Sequence, residues 1–260
     1  MGGRLMAALG HSDWPDRLWI VRHGQSAGNV ARDAAELAGA SMIEITTRDA
    51  DTPLSELGMQ QARALGAWFA SQPADERPNV LMCSPFVRAQ QTCTAIAGML
   101  GLDLAETLVD ERLREKEFGI LDRYTRHGIV QKFPELAEQR ALVGKFYFRP
   151  PGGESWCDVI LRLRSVVQVL RRDHVHDRVL IVGHQVTVNC FRYLLECMDE
   201  AKILAIDREA DVPNCAITGY ALGDEGGRPN FALRRTNFVV PMVEAGAPVT
   251  SAPDAPAGPK

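Results

Sequence analysis

Short, wholly apolar runs alternate along the chain with longer stretches in which apolar residues recur every three or four positions. Runs of the first kind mark strands buried on both faces, and the longer stretches mark amphipathic helices. The alternation therefore predicts an α/β protein with a largely parallel sheet. Strands are expected at residues 18–22, 79–83, 107–110 and 179–182. Two later runs, 216–222 and 231–235, flank the Gly-rich stretch 223–229 and predict a hairpin. Helices are expected from Pro53 to about Ser71, with Ser55 as N-cap, and from Phe86 to about Leu100, with Pro85 in an N1-like place. A long helix over residues 154–172 rests on apolar side chains at 159, 160, 163, 166, 167 and 170, and another is expected from about Val186 to Met198.

Two stretches break this rhythm, residues 30–51 and 123–151. Connections of that length in α/β proteins form walls or lids over a site. The chain divides into an extension (1–15), one domain (16–243) and a tail (244–260) whose Ala, Pro and Gly content predicts disorder. With 46% hydrophobic residues in 260, a full core is expected. A net charge of -4 without any dense Lys/Arg run points away from nucleic acid and from anionic membranes as partners. No apolar run approaches the 18 residues of a membrane span. The six cysteines form no C-x-x-C pair and lie mostly in apolar runs, the pattern of free thiols in a reducing compartment. The first 15 residues are too short for a signal peptide with its cleavage site, so the expected location is cytoplasmic.

The chemistry concentrates where predicted strands end. Arg22-His23-Gly24 follows the first strand, and Gly183-His184 follows the 179–182 strand. Ligands of open α/β sheets bind at the carboxyl ends of strands. Arg88 opens the helix after the 79–83 strand, and Glu115 follows the 107–110 strand. Taken singly, each has an ordinary reading: His23 or His184 as a satisfied half-buried histidine, Arg88 as a solvated helix face, Glu115 as part of a surface charge run. Taken in order they suit phosphoryl transfer, in which charge on three equatorial oxygens must be neutralised and attack is in line. Arg22 and Arg88 can each present a planar fork to phosphoryl oxygens. His23 can attack phosphorus through a neutral ring nitrogen, with His184 as a second imidazole at the phosphate. Glu115 can protonate the leaving oxygen and later deprotonate water.

These segments resemble the histidine phosphatase superfamily, the phosphoglycerate mutase-like branch 1. The matching blocks are Arg22-His23-Gly24-Gln25-Ser26 with Asn29, Leu54-Ser55-Glu56-Leu57-Gly58 with Gln60-Gln61-Ala62, and Ser84-Pro85-Phe86-Val87-Arg88-Ala89-Gln90-Gln91-Thr92. Leu113-Arg114-Glu115 with Gly119, Gly152-Gly153-Glu154-Ser155 and Val182-Gly183-His184-Gln185 complete the set, which spans roughly residues 16–200. The resemblance implies a three-layer α/β/α sandwich around a central, mostly parallel mixed sheet. It also implies phosphorylation of His23, phosphate binding by Arg22, Arg88 and His184, and acid/base work by Glu115 rather than Glu117. Gln25, Asn29, Ser55 and Gln185 become candidate substrate-binding residues by their places in the motifs. No metal or cofactor is implied, because Arg and His supply the positive charge; Asp49 and Asp51 form only a weak acidic pair poorly spaced for calcium.

After Phe118-Gly119 the chain reads Ile120-Leu121-Asp122-Arg123-Tyr124, without the Glu-Arg-His-Tyr-Gly-Gly stretch of the cofactor-dependent mutases. The expected activity is therefore hydrolysis of a small phosphorylated metabolite. Mutase-type transfer and a non-catalytic phospho-ligand module on the same fold are the alternatives. Tyr124, Arg123, Arg126, Tyr147 and Arg149 are candidates for the substrate wall, with core packing an equal reading for Tyr147 and Phe148. His127, His174 and His176 read as solvated, and a homodimer is compatible with the sequence without being required by it.

Overall fold

Leu18 and Ile20 point into one apolar cluster, and Trp19 and Val21 point into another. Val179 and Ile181 divide from Leu180 and Val182 in the same way, as does Met82 from Leu81 and Cys83. This period-2 division is what strands covered on both faces produce. The protein, described here by a computed structural model over residues 13–225 and 228–251, is thus a three-layer sandwich.

In chain order its elements are β1 (Arg17–Arg22), α1 (Ala27–Leu37), α2 (Glu56–Ser71), β2 (Val80–Cys83), α3 (Val87–Leu100), β3 (Leu108–Val109), α4 (Arg126–Lys132), α5 (Pro134–Val143), α6 (Trp156–Asp173), β4 (Arg178–Gly183), α7 (Gln185–Leu195), α8 (Glu200–Glu209), β5 (Ile217–Glu225), β6 (Arg228–Phe238) and α9 (Val240–Glu244). The sheet order is β3-β2-β4-β1-β5-β6. β1, β2, β3 and β4 run parallel to one another, whereas β5 is antiparallel to both β1 and β6, so the sheet is mixed and mostly parallel, as predicted. Helices α6, α7 and α8 cover one face with Trp156, Leu163, Val166, Phe191 and Ile203. Helices α2 and α3 cover the other with Leu65, Phe69, Cys93 and Ile96. Each such side chain, taken fully from water, contributes about 1.5–3 kcal/mol of transfer free energy.

Several expectations are corrected. Pro85 precedes the helix rather than opening it, because Phe86 is the N-cap residue of α3. The 30–51 stretch is not all connection. Ser26 caps α1 with Asn29 in a reciprocal capping box, a signal carried by Ser26-x-x-Asn29. The 123–151 stretch holds α4 and α5, with Thr125 capping the first. These two long connections are stitched together: Met42 bridges Tyr124, Thr125 N–H donates to Ser41 O, and Ile43 N–H donates to Arg123 O. The tail expectation changes for its first residues. Gln61 Nε2 donates to Pro248 O and to Thr250 Oγ1, and Asn214 N–H donates to Thr250 O. Most of the expected extension (1–12), Gly226-Gly227 within the predicted turn and residues 252–260 lie outside the described residues. All six cysteines carry free thiols. Among the described residues no helix is long and apolar enough to cross a membrane.

Candidate active site

β1 and β4 are neighbours at the centre of the sheet, and α2, in the connection from β1 to β2, and α7, which follows β4, pack on opposite faces. The crevice beyond their carboxyl ends is the switch point at which α/β sheets bind ligands. His23 and His184 stand there, each one residue beyond its strand, with ring centroids 5.1 Å apart. An open cavity reaches His23, and His184 lies buried behind it. Its walls include Arg22, His23, Ser26, Asn29, Arg88 and Glu115. The structure therefore gathers the two histidines, two arginines and the glutamate singled out in the sequence.

The turn that carries His23 is fixed on every side. His23 N–H donates to Gly183 O at 2.9 Å, tying β1 to β4 beyond the ladder. Asn214 Nδ2 donates to His23 O at 3.0 Å, and Gly24 N–H donates to Thr92 Oγ1 at 3.1 Å. Gln25 N–H donates to Gln61 Oε1 at 2.9 Å. Gly58 is required by this close approach: a Cβ there would stand 1.9 Å from Gln25 O, too near for any side chain. The Leu-Ser-Glu-Leu-Gly motif is thus the place where the start of α2 lies against the histidine turn.

Ring chemistry follows from these neighbours. His23 Nδ1 lies 2.6 Å from Gly24 O, an acceptor, so Nδ1 carries the proton and Nε2 keeps its lone pair. Arg88 Nε donates to that Nε2 at 3.2 Å. Burial first, and then the charges of Arg88 and Arg22, hold the His23 pKa well below the usual histidine range. His184 is lowered likewise, by burial first and then by Arg88 and His23. His184 Nε2 lies 2.8 Å from Ser84 Oγ, which already accepts from Phe86 N–H at 3.2 Å. Ser84 can then donate to Nε2 and leave the His184 proton on Nδ1. That nitrogen is buried and has no hydrogen-bond partner among the described residues.

Arg22 Nη1 donates to Val212 O at 2.6 Å, which aligns its guanidinium at the floor. Arg88 lies over the Phe86 ring, 5.0 Å from its centroid, and its Nη1 donates to Asp49 O at 2.6 Å. Glu115 is 6% exposed and accepts from Lys116 N–H at 2.8 Å. The loop that carries it is held by Glu154, which takes Arg162 and Arg114 and accepts from Glu117 N–H. Arg162 in turn donates to Arg112 O and Glu115 O. This explains the Gly-Gly-Glu-Ser block: Ser155 caps α6 while Glu154 braces the Glu115 loop. The N-termini of α1 and α7, at Ser26 and His184, add backbone donors suited to an anion.

Of the expected substrate-binding residues, Asn29 lines the cavity. Its Oδ1 accepts from Ser26 N–H, so its amide group has donors left to offer. Ser55, Gln25 and Gln185 hold the scaffold instead. Ser55 Oγ donates to Gln25 Oε1 at 2.7 Å while capping α2, and Gln185 Nε2 donates to Asp211 Oδ1 at 3.0 Å. The wall reading of Tyr147 and Arg149 is corrected. Phe146 and Phe148 are buried on either side of Tyr147, which leaves Tyr147 54% exposed and away from the cavity lining. Arg149 pairs with Asp158 on α6. Tyr124 packs edge-on to Phe133. Arg123 does reach the cavity, where Ile43, Ile45, Asp49, Phe118 and Asp122 join it. Sequence reasoning missed Asn214 and Thr92, which act through hydrogen bonds to the turn from distant segments, and gave Asp49 no role.

Comparison with known proteins identifies relatives of the whole domain. The model of the histidine phosphatase superfamily (branch 1) matches residues 18–232. The chain is 34% identical over 177 residues to a 6-phosphofructo-2-kinase/fructose-2,6-bisphosphatase of Caenorhabditis elegans, covering 68% of this chain and 33% of that protein. It is 28% identical over 199 residues to a 2,3-bisphosphoglycerate-dependent phosphoglycerate mutase of Sinorhizobium fredii, covering 75% of this chain and 87% of the mutase. The chain thus spans about a third of the first relative's length and most of the second's. A mycobacterial glucosyl-3-phosphoglycerate phosphatase, solved in complex with VO3, matches with a TM-score of 0.65 at 26% identity, over 86% of this chain and 99% of that one. The chain belongs to branch 1 of the histidine phosphatase superfamily.

Proposed function

We propose that this protein is a cytoplasmic phosphatase that hydrolyses a small phosphomonoester through a phosphohistidine intermediate on His23. The observation that carries the reading is the His23 ring, neutral, buried and oriented so that Nε2 bears the lone pair. Arg22, Arg88 and His184 Nδ1 hold the phosphoryl oxygens. Nε2 attacks phosphorus, the ester P–O bond breaks, and the leaving oxygen takes the proton of Glu115. Glu115 then removes a proton from water, which attacks the same phosphorus, breaks the N–P bond and releases phosphate. Electrostatic complementarity to the charge spread over the equatorial oxygens supplies most of the acceleration. Glu115→Gln tests the assignment. It should slow alkyl phosphates far more than p-nitrophenyl phosphate, whose leaving group scarcely needs a proton; equal slowing of both would remove Glu115 from the acid role.

A second reading is favoured by the mutase among the relatives, which the chain matches over most of its length. A mutase returns the phosphoryl group to a second hydroxyl, whereas a phosphatase passes it to water. Product analysis with a phosphoglycerate and its bisphosphate separates the two.

A further inference from the structure

The Arg88 guanidinium meets two chemically different partners. Its Nε faces His23, while its far edge is covered by Asp49: Nη2 donates to Asp49 Oδ2 at 3.1 Å, and Nη1 lies 3.0 Å from Oδ1. The Arg88 side chain is 6% exposed and that of Asp49 is 46% exposed. A carboxylate from an exposed 3₁₀ turn, Asp49–Asp51, thus reaches in and occupies the buried fork beside the nucleophile. Carboxylate and phosphoryl oxygens suit the same fork, so the two compete for it.

The charges lining the cavity extend this. Four guanidinium groups, Arg22, Arg32, Arg88 and Arg123, stand with three carboxyl groups, Asp49, Glu115 and Asp122. Asp33 adds a carboxyl group that feels the charges of Arg32 and Arg22, so the cations of this cavity are largely offset and little positive charge is left for a second anion beside one phosphoryl group. Arg123 already directs Nη1 and Nη2 to Ile45 O and Thr47 O. Asp122 has its pKa raised, by burial first and then by the charge of Asp49, so the two carboxyl groups act on one another across this side of the cavity. Its remaining lining there includes Ile43, Ile45 and Phe118.

We propose that Asp49 is a specificity-determining residue, one that competes with phosphoryl groups for Arg88 and restricts the substrate to a single phosphoryl group carried on an uncharged alcohol. The inference rests on the phosphatase reading for the word substrate, but its binding consequences do not depend on turnover. It sets this site apart from a site for phosphoglycerate, whose carboxylate would meet Asp49 and Asp122.

The test is Asp49→Asn, which keeps the shape and removes the charge. Calorimetric titration with inorganic phosphate should give a Kd about tenfold lower in the variant than in the unaltered protein, the scale of one charge-assisted hydrogen bond made available to the phosphoryl group. Glycerol 3-phosphate and 3-phosphoglycerate differ only in a hydroxymethyl group against a carboxylate. In a His23→Ala background, which does not consume them, glycerol 3-phosphate should bind more tightly, and adding Asp49→Asn should narrow the ratio by about tenfold. An unchanged phosphate Kd, or a preference for 3-phosphoglycerate while Asp49 is present, overturns the proposal. Failure of the unaltered protein to hydrolyse p-nitrophenyl phosphate would instead overturn the phosphatase reading and leave the binding comparison intact.

Discussion

Arg88 Nε donates to His23 Nε2 at 3.2 Å, so the cation and the lone pair that face the cavity are held in one hydrogen bond. The bond places a fork beside the atom proposed to accept the phosphoryl group. It also opposes protonation of that atom, because a proton on Nε2 would put two cations in contact. Burial works in the same direction and is the larger influence on the ring.

Stability should therefore depend on pH in a defined direction. His23 and His184 have pKa values lowered well below 6.5 in the folded protein. An unfolded chain protonates both near pH 6.5, while the folded protein leaves them neutral. Their full contribution is present above that pH and is lost as pH falls below it. Denaturant unfolding followed from pH 7.5 to 5.5 should show this decline. His184→Gln should reduce its slope by up to about 1.4 kcal/mol per pH unit, one proton's worth. An identical slope in the variant would show that His184 titrates normally.

Ser84 orients the second histidine through the 2.8 Å contact between its Oγ and His184 Nε2. Ser84→Ala leaves that nitrogen without its partner in a buried place. A loss of about 1–3 kcal/mol at the transition state corresponds to roughly five- to 150-fold in kcat/KM for an aryl phosphate. A change of less than twofold would mean that the hydroxyl does not set the His184 tautomer.

Gly58 and Gly98 should respond oppositely to alanine. A Cβ at Gly58 would collide with the Gln25 backbone, while at Gly98, exposed on α3, it meets nothing within 4 Å. Gly58→Ala is expected to lower unfolding free energy by about 2 kcal/mol or more and to impair activity, because the histidine turn must shift. Gly98→Ala is expected to be neutral or stabilising by up to about 1 kcal/mol. Urea melts of the two variants check the contrast.

The docked end of the chain reaches the site indirectly. Thr250 Oγ1 donates to Asn214 Oδ1 and accepts from Gln61 Nε2, and those amides hold His23 O and Gln25 N–H. Thr250→Val should lower stability by about 2 kcal/mol, one for each bond. It should also lower kcat on p-nitrophenyl phosphate, a loss that purely remote packing would not produce. Unaltered kcat would show that the histidine turn holds without this strap.

The parallel strands were legible because their apolar runs are continuous, and Arg22, His23 and His184 because they stand at the ends of such runs. Arg88 and Glu115 could be placed only through their neighbours in the motifs, since both sit in charge-rich surroundings that resemble surface. Helix α1 escaped notice because it buries only Asn29 and Ala35 and its start is marked by a cap, Ser26 with Asn29. Tyr147 misled because alternation between two buried phenylalanines turned it outward. Asn214, Thr250 and Asp49 were invisible as partners because their contacts join segments far apart in sequence.

The central claim is that His23 takes the phosphoryl group. Rapid acid-free quenching after mixing with a ³²P-labelled phosphomonoester, followed by peptide mapping, tests it most directly. The expected result is an acid-labile, base-stable label on the peptide containing Arg22-His23-Gly24, absent in His23→Ala. Turnover retained in His23→Ala, or label found on another residue, would contradict the account.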